Sequence, residues 1–242
     1  MIALWILLGI AGIIVLYLLF LGVCALFVKK KYYVKNSRFY RRLLVFNTRI
    51  ALWLCGVKYK VHGEQKLQGI GRFLFVCNHR SNLDPLILWV LLDKYDIAFL
   101  SKIENFRIPF FGRFIRKCCF MDIDRKNPRN AIKTLRASSE LLKANEVSIG
   151  VYPEGTRSKS KEMLKFHDGV LKIAQFANVP VVVATVRGTE KFAKRKLFQK
   201  TKVDLDILEI ISIDKVRESA SHDLADLAKK VMQEFLDKFD KD

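Results

Sequence analysis

The chain has 242 residues, 51% of them hydrophobic, enough to bury one substantial core and to exclude a disordered polymer. Five Pro and 12 Gly exclude collagen-like or low-complexity architecture. The 43 Lys and Arg against 24 Asp and Glu leave a net charge of +19, suited to a partner that carries dense phosphate, either nucleic acid or anionic lipid.

The charge is unevenly placed along the chain. Ile2 to Val28 carries no charged side chain and is rich in Leu, Ile and Val. As a helix it would run about 40 Å against a hydrocarbon core of about 30 Å, long enough to span a bilayer with tilt. It lacks the basic start and the shorter apolar stretch of a cleaved signal peptide, so it is expected to stay attached. Residues 29 to 63 then hold ten basic side chains and no acidic one, beginning with Lys29, Lys30 and Lys31. The positive-inside rule places everything after residue 28 on the cytoplasmic side of the cell membrane. Cys24, Cys55, Cys77, Cys118 and Cys119 agree with that placement: an odd number without C-x-x-C spacing argues against a disulfide scaffold or zinc ribbon and for a reducing compartment.

Phe39, Leu43, Phe46, Ile50 and Trp53 recur at helical spacing, with Arg38, Arg41, Arg42 and Arg49 on other faces and Gly56 as a C-terminal stop. Two arrangements suit this second helix. Its apolar face can lie in lipid with the guanidinium groups at headgroup phosphates, or that face can pack on the domain core.

Beyond Val57 strands and helices alternate. Phe73 to Cys77, Ala98 to Leu100, Ser148 to Tyr152, Val179 to Val186 and the run of Val203, Leu205 and Ile207 read as strands. Helices are predicted to open at Asp84-Pro85 and at Asn127-Pro128, to cover 168 to 177, and to follow a Ser221 cap along Leu224, Leu227, Ala228, Val231, Met232, Phe235 and Leu236. The expected fold class is α/β: a single mixed-sheet domain covered by helices, preceded by N-terminal membrane-anchoring helices. The expected divisions are a membrane-embedded helix over 1–28, a basic amphipathic interfacial segment over 29–60, and a cytoplasmic catalytic domain over 61–242.

Two loops after predicted strands carry the candidate chemistry. In the first, running from Asn78 to Asp84, His79 and Asp84 stand five apart. A folded-back loop at that spacing lets the carboxylate accept one imidazole N–H and leaves the other ring nitrogen as a base near neutral pH. Asp84 equally suits a helix cap before Pro85, and its two oxygens could serve both roles. The second loop is Tyr152-Pro153-Glu154-Gly155-Thr156-Arg157-Ser158. Gly155 lets backbone approach a ligand, Thr156 and Ser158 add hydroxyl groups, Arg157 offers a planar fork for a phosphate, and Glu154 could hold Arg157 or another cation. The same segment also fits a polar turn with a surface ion pair.

Together the two loops resemble the glycerolipid acyltransferase family, most closely the bacterial 1-acyl-sn-glycerol-3-phosphate (lysophosphatidic acid) acyltransferases. Asn78, His79, Ser81 and Asp84 match an N-H-x-S-x-x-D signature, and Glu154 to Ser158 match E-G-T-R-S. Lys102 and Arg125 fall where the family carries further basic residues, and the likeness covers about residues 70 to 190. Two positions depart from the pattern: Ala184 stands for the second Pro of V-P-x-x-P, and Phe166-His167-Asp168-Gly169 stands for F-K-x-G. Both elements are expected to shape the pocket.

The resemblance implies transfer of a fatty acyl group from acyl-CoA or acyl carrier protein to the sn-2 hydroxyl of lysophosphatidic acid, giving phosphatidic acid for phospholipid biosynthesis. His79 would be the base and Asp84 its orienting partner. Glu154, Gly155, Thr156, Arg157, Ser158, Lys102, Arg125, Asn78 and Ser81 would form the substrate-binding set. The partners would be a phospholipid membrane, the lysophosphatidic acid acceptor and the thioester donor, with no nucleic acid. A covalent variant would use Ser81 or Cys77 as nucleophile with His79 as base. His62, His79, His167 and His222 show no ligand spacing, and no nucleotide-binding loop is present, so no metal and no cofactor are expected. The remaining readings are an enzyme of the same family acting on another lyso-lipid or aminolipid, and a membrane-tethered module that binds anionic lipid or nucleic acid without catalysis.

Overall fold

A computed structural model describes residues 1–124, 127–158, 160, 162–194 and 199–239. Arg125, expected in the substrate-binding set, lies outside the described residues.

One seven-stranded sheet organises the chain, in the order β1-β7-β6-β2-β5-β3-β4. Its strands are β1 (Val57–His62), β2 (Leu74–Cys77), β3 (Ala98–Ser101), β4 (Met121–Asp122), β5 (Ile149–Val151), β6 (Val181–Arg187) and β7 (Thr201–Ile211). The five strands from β6 to β4 run parallel; β7 is antiparallel to β6 and parallel to the edge strand β1. The sheet is therefore mixed, and the expected boundary between residues 60 and 61 cuts through β1. Buried parallel strands call for continuous apolar runs, which β2 supplies with Leu74, Phe75, Val76 and Cys77, all fully buried.

Helices flank the sheet. They are α1 (Ile2–Leu26), α2 (Arg38–Leu54), α3 (Asp84–Leu91), α4 (Phe111–Lys117), α5 (Pro128–Lys143), α6 (Lys172–Ala177), α7 (Ile213–Glu218) and α8 (Ser221–Phe239). Asn127 caps α5 as its sequence indicates, accepting from the Arg129 and Asn130 amides. Ser221 is the first residue of α8, and its hydroxyl donates to the Asp168 carboxylate at 3.3 Å.

The two amino-terminal helices are joined to the domain at particular points. α1 is buried only at Leu21, Cys24 and Ala25 and half-buried at Tyr17 and Gly22, and the rest of its apolar length is exposed. Among the described residues it is the one helix long and apolar enough to cross a membrane. Its carboxyl end is held by Arg113, which donates to the carbonyls of Ala25 and Val28 at 3.0 and 2.9 Å, and by Tyr40, whose hydroxyl donates to the Cys24 carbonyl. Such donors satisfy carbonyls that a helix end leaves without partners.

α2 has two apolar faces rather than one. Tyr40, Leu44, Val45 and Leu52 are buried against the domain, while Phe39, Phe46, Ile50 and Trp53 face outward. The face singled out by its spacing is thus the outer one. Arg41 lies on the inner face, where it pairs with Asp96 at 3.2 Å and donates to the carbonyls of Ile97 and Cys118. A guanidinium with that many partners can be buried where a lone one could not.

Candidate active site

The site forms at the carboxyl edge of the parallel strands, where β2 and β5 lie side by side and each runs into one of the two loops. The first loop leaves β2 at Asn78. The Asn78 side chain is fully buried and imitates a strand residue: its amide donates to the Val186 carbonyl at 3.1 Å, and its oxygen accepts from the Val186 N–H at 2.7 Å. It fastens the loop to β6 instead of facing a substrate. Ser81 is half-buried in its own turn, where its hydroxyl oxygen accepts from the Leu83 amide at 3.3 Å, and the hydroxyl proton remains available to a ligand.

His79 and Asp84 meet. His79 Nδ1 lies 2.8 Å from Asp84 Oδ2, and the same oxygen accepts from the Arg80 and Ser81 amides, each at 2.8 Å. An oxygen that already accepts from two amides takes the imidazole N–H as a third donor, so the neutral ring carries its proton on Nδ1 and presents the Nε2 lone pair. The Asp84 carboxylate is fully buried while the His79 side chain is 17% exposed, so the ring is held from behind and open in front. Asp84 does open α3, but its carboxylate turns back to the amides of the preceding loop and makes no cap bond to its own helix.

The second loop grips the backbone of the first at a single residue. Glu154 Oε1 accepts from the His79 N–H at 2.8 Å, and the Ser158 N–H donates to the His79 carbonyl, also at 2.8 Å. Glu154 Oε2 accepts from the Leu164 amide, and the Ser158 hydroxyl donates to the Glu162 carbonyl. Glu154 and Ser158 are buried, and the reading of Glu154 as a partner for Arg157 is replaced by this bracing role. Burial pushes the Glu154 carboxyl above its ordinary range, opposed by the two amide donors.

Between those two pins Gly155, Thr156 and Arg157 bulge outward, with Thr156 and Arg157 exposed. Gly155 sits at φ +67°, and a Cβ there would come 2.8 Å from His167 Cδ2. Only glycine fits both the left-handed backbone and that approach. The position that departs from F-K-x-G therefore places His167 over the loop, and the His167 N–H donates to the Pro153 carbonyl at 2.8 Å. Ala184, the other departure, lies fully buried opposite Cys77 in the β2–β6 register, in the core beneath the loops. Lys102 follows β3 and is exposed, on the same sheet edge but with β5 between it and β2.

One feature escapes the motif reading. Tyr152, two positions before the second signature, stacks on His79 with ring centroids 4.3 Å apart and planes inclined by 21°. Its register at the end of β5 beside β2 is the signal that could have revealed it. Cys77 is fully buried and its thiol is pushed well above the ordinary range by burial, with Asp84 and Glu154 adding to the shift. A protonated, enclosed thiol is a poor nucleophile, which counts against the covalent variant through Cys77. Among the described residues no cluster of three or more metal-ligating side chains occurs.

Residues 58–187, just over half of the chain, match the Acyltransferase family, and the chain belongs to it. A 1-acyl-sn-glycerol-3-phosphate acyltransferase of Bacillus subtilis is 31% identical over 150 residues, covering 62% of this chain and 72% of the relative. One from Cocos nucifera is 29% identical over 141 residues, 58% of this chain and 45% of the relative, so the chain spans less than half the length of that protein. The crystal structure of the 1-acyl-sn-glycerophosphate (LPA) acyltransferase PlsC from Thermotoga maritima superposes with a TM-score of 0.70 at 23% identity, covering 93% of this chain and 89% of that one, and so shares the fold.

Proposed function

We propose that this chain transfers a fatty acyl group from a thioester to the sn-2 hydroxyl of 1-acyl-sn-glycerol-3-phosphate, releasing phosphatidic acid for phospholipid biosynthesis. The relatives named for that reaction support the substrate, and one observation carries the chemistry: the 2.8 Å contact between His79 Nδ1 and Asp84 Oδ2, which leaves Nε2 as a base.

The acceptor hydroxyl gives its proton to His79 Nε2 as its oxygen bonds to the thioester carbonyl carbon. Asp84 holds the imidazole in place and stabilises the imidazolium, a contribution of about 10² to 10⁴ in rate for a placed base. When the C–S bond breaks, the thiolate leaves and takes up the proton. A thiol of pKa about 8.5 is a good leaving group, so a dyad without an enzyme nucleophile suffices. Arg157 binds the acceptor phosphate with the backbone of Gly155 and Thr156, one residue from the Ser158 amide that is bonded to His79. Lys102, on the same sheet edge, adds positive potential, and Arg125 stays in the substrate-binding set on the strength of the family likeness alone.

The donor is acyl-CoA or acyl carrier protein, each of which presents the same thioester. The exposed part of α1 and the outer face of α2 hold the site at the bilayer, with the basic residues 29 to 63 and the catalytic domain on the cytoplasmic side. The deciding assay uses the purified full chain in detergent with acyl thioesters and a panel of lyso-lipids. Phosphatidic acid formed preferentially from lysophosphatidic acid is the expected result. Transfer only to another lyso-lipid, or steep salt-dependent duplex binding without transfer, overturns the reading.

A further inference from the structure

We propose that Tyr152 is a positioning residue for His79: its ring fixes the plane of the imidazole, and its hydroxyl completes the hydrogen bonding of Asp84 through the carboxylate oxygen that His79 does not use. The inference rests on the base role given to His79 above and adds a residue that neither signature contains.

A base held by one hydrogen bond is only half positioned. The Nδ1–Oδ2 contact fixes one corner of the imidazole, and the ring can still tilt about that corner and swing Nε2 off the line to the acceptor hydroxyl. A face-on neighbour removes that freedom. Tyr152 is such a neighbour, at 4.3 Å and 21°, and it is itself backed by Phe99 at 5.5 Å and 9°. Phe99 leans on Phe120, which meets Trp89 edge-on, so an aromatic column runs from the core to the imidazole. The stack therefore carries the rigidity of the packed interior to the ring.

The hydroxyl is a separate observation. Asp84 Oδ2 accepts three donors, whereas Oδ1 is buried without a hydrogen-bond partner among the described residues, and so is the Tyr152 hydroxyl. Buried polar atoms are nearly always satisfied, by protein or by ordered water. These two are chemical complements, one an acceptor and one a donor. Burial pushes the phenol well above its ordinary range, with the nearby Asp84 and Cys77 adding to the shift, so the hydroxyl keeps its proton and can only donate to a carboxylate. No hydrogen bond joins the two atoms directly, so the contact runs through one ordered water. Among the described residues Glu154 is charged beside His79, with Arg80 near it, and Glu154 is engaged with backbone amides.

The test compares the full chain with Tyr152→Phe, which keeps the ring and removes the oxygen, and Tyr152→Leu, which removes the ring. Two measurements are made in detergent: 13C relaxation of the His79 ring, assigned by its loss in His79→Ala, and the kcat and acceptor KM of acyl transfer. In Tyr152→Phe the His79 ring should stay rigid while kcat falls by about tenfold, the loss of one hydrogen bond. In Tyr152→Leu the ring should become mobile and kcat fall by about 10²-fold. Acceptor KM should move less than about twofold in both, since neither change touches the phosphate cradle. A His79 ring as rigid in Tyr152→Leu as in the unaltered chain, an unaltered kcat in Tyr152→Phe, or a loss carried by acceptor KM alone overturns the proposal. Relaxation needs no turnover, so it reports on Tyr152 even if lysophosphatidic acid proves not to be the acceptor, and Tyr152→Phe keeps the test alive should the leucine variant fail to fold.

Discussion

His79 does two jobs with two different parts of itself. Its imidazole faces the reaction, and its backbone N–H and carbonyl receive both pins from the second loop. Removing the side chain leaves the pins intact, so His79→Ala should keep its fold, checked by thermal denaturation, while kcat drops by about 10² to 10⁴. Asp84→Asn should lose activity over a similar range, because a neutral amide no longer stabilises the imidazolium. Glu154 is a different case. Its carboxyl is raised in the folded chain above its unfolded value of about 4.3, so the folded state binds more protons between those two values. Its contribution to stability is therefore fully present below the unfolded value and is lost as pH rises through the folded one. Glu154→Gln should flatten that part of the stability profile in denaturant titrations from pH 4 to 8. It should also cost about 1 to 3 kcal/mol, because the amide nitrogen would face the Leu164 N–H, donor against donor.

At the scale of elements, the site depends on how strands end. Asn78 extends the pairing of β2 with β6 by using its side chain as a strand would use its backbone. Asn78→Ala leaves both backbone groups of Val186 without these partners in a buried setting, and should lower unfolding free energy by about 1 to 3 kcal/mol. Acceptor binding should persist in the fraction that stays folded, measured as an unaltered KM. This is also where sequence and structure part company. Strands β2, β5 and β6 were legible because they are short, apolar and bounded by turn residues, and α5 because Asn127-Pro128 announces its start. The helix α4 and the two-residue β4 were missed: Phe111 to Lys117 is too short for its period to show, and so short a strand carries no alternation. The dyad was suggested by a local spacing of five positions, which the likeness of both loops to the family signatures strengthened. The bracing roles of Asn78, Glu154 and Ser158 could not, because their partners lie far away in the chain or in its backbone, which motifs do not record.

For the molecule as a whole, exposed apolar helix surface adjoins a basic stretch of chain. The outer face of α2, with Phe46, Ile50 and Trp53, stands beside an α1 that is exposed for most of its length, and Lys29, Lys30 and Lys31 lie between the two helices. A combined Phe46→Glu and Trp53→Glu chain should bind vesicles containing anionic phospholipid at least about tenfold more weakly than the unaltered chain, with an unchanged melting temperature since both side chains are already outside the core. Raising the salt concentration should weaken the binding of both chains, through the basic residues that the double change leaves in place. Flotation on a density gradient measures each effect.

The double grip on residue 79 has a practical meaning for anyone recombining such proteins. Segments 78–84 and 152–158 are nearly seventy positions apart in the chain, yet they are one part in space, joined through the backbone of a single residue. A transplant that brings in the histidine segment alone would leave its amide and carbonyl to host residues of unmatched length, and the imidazole would arrive aimed elsewhere. The smallest portable unit is the pair.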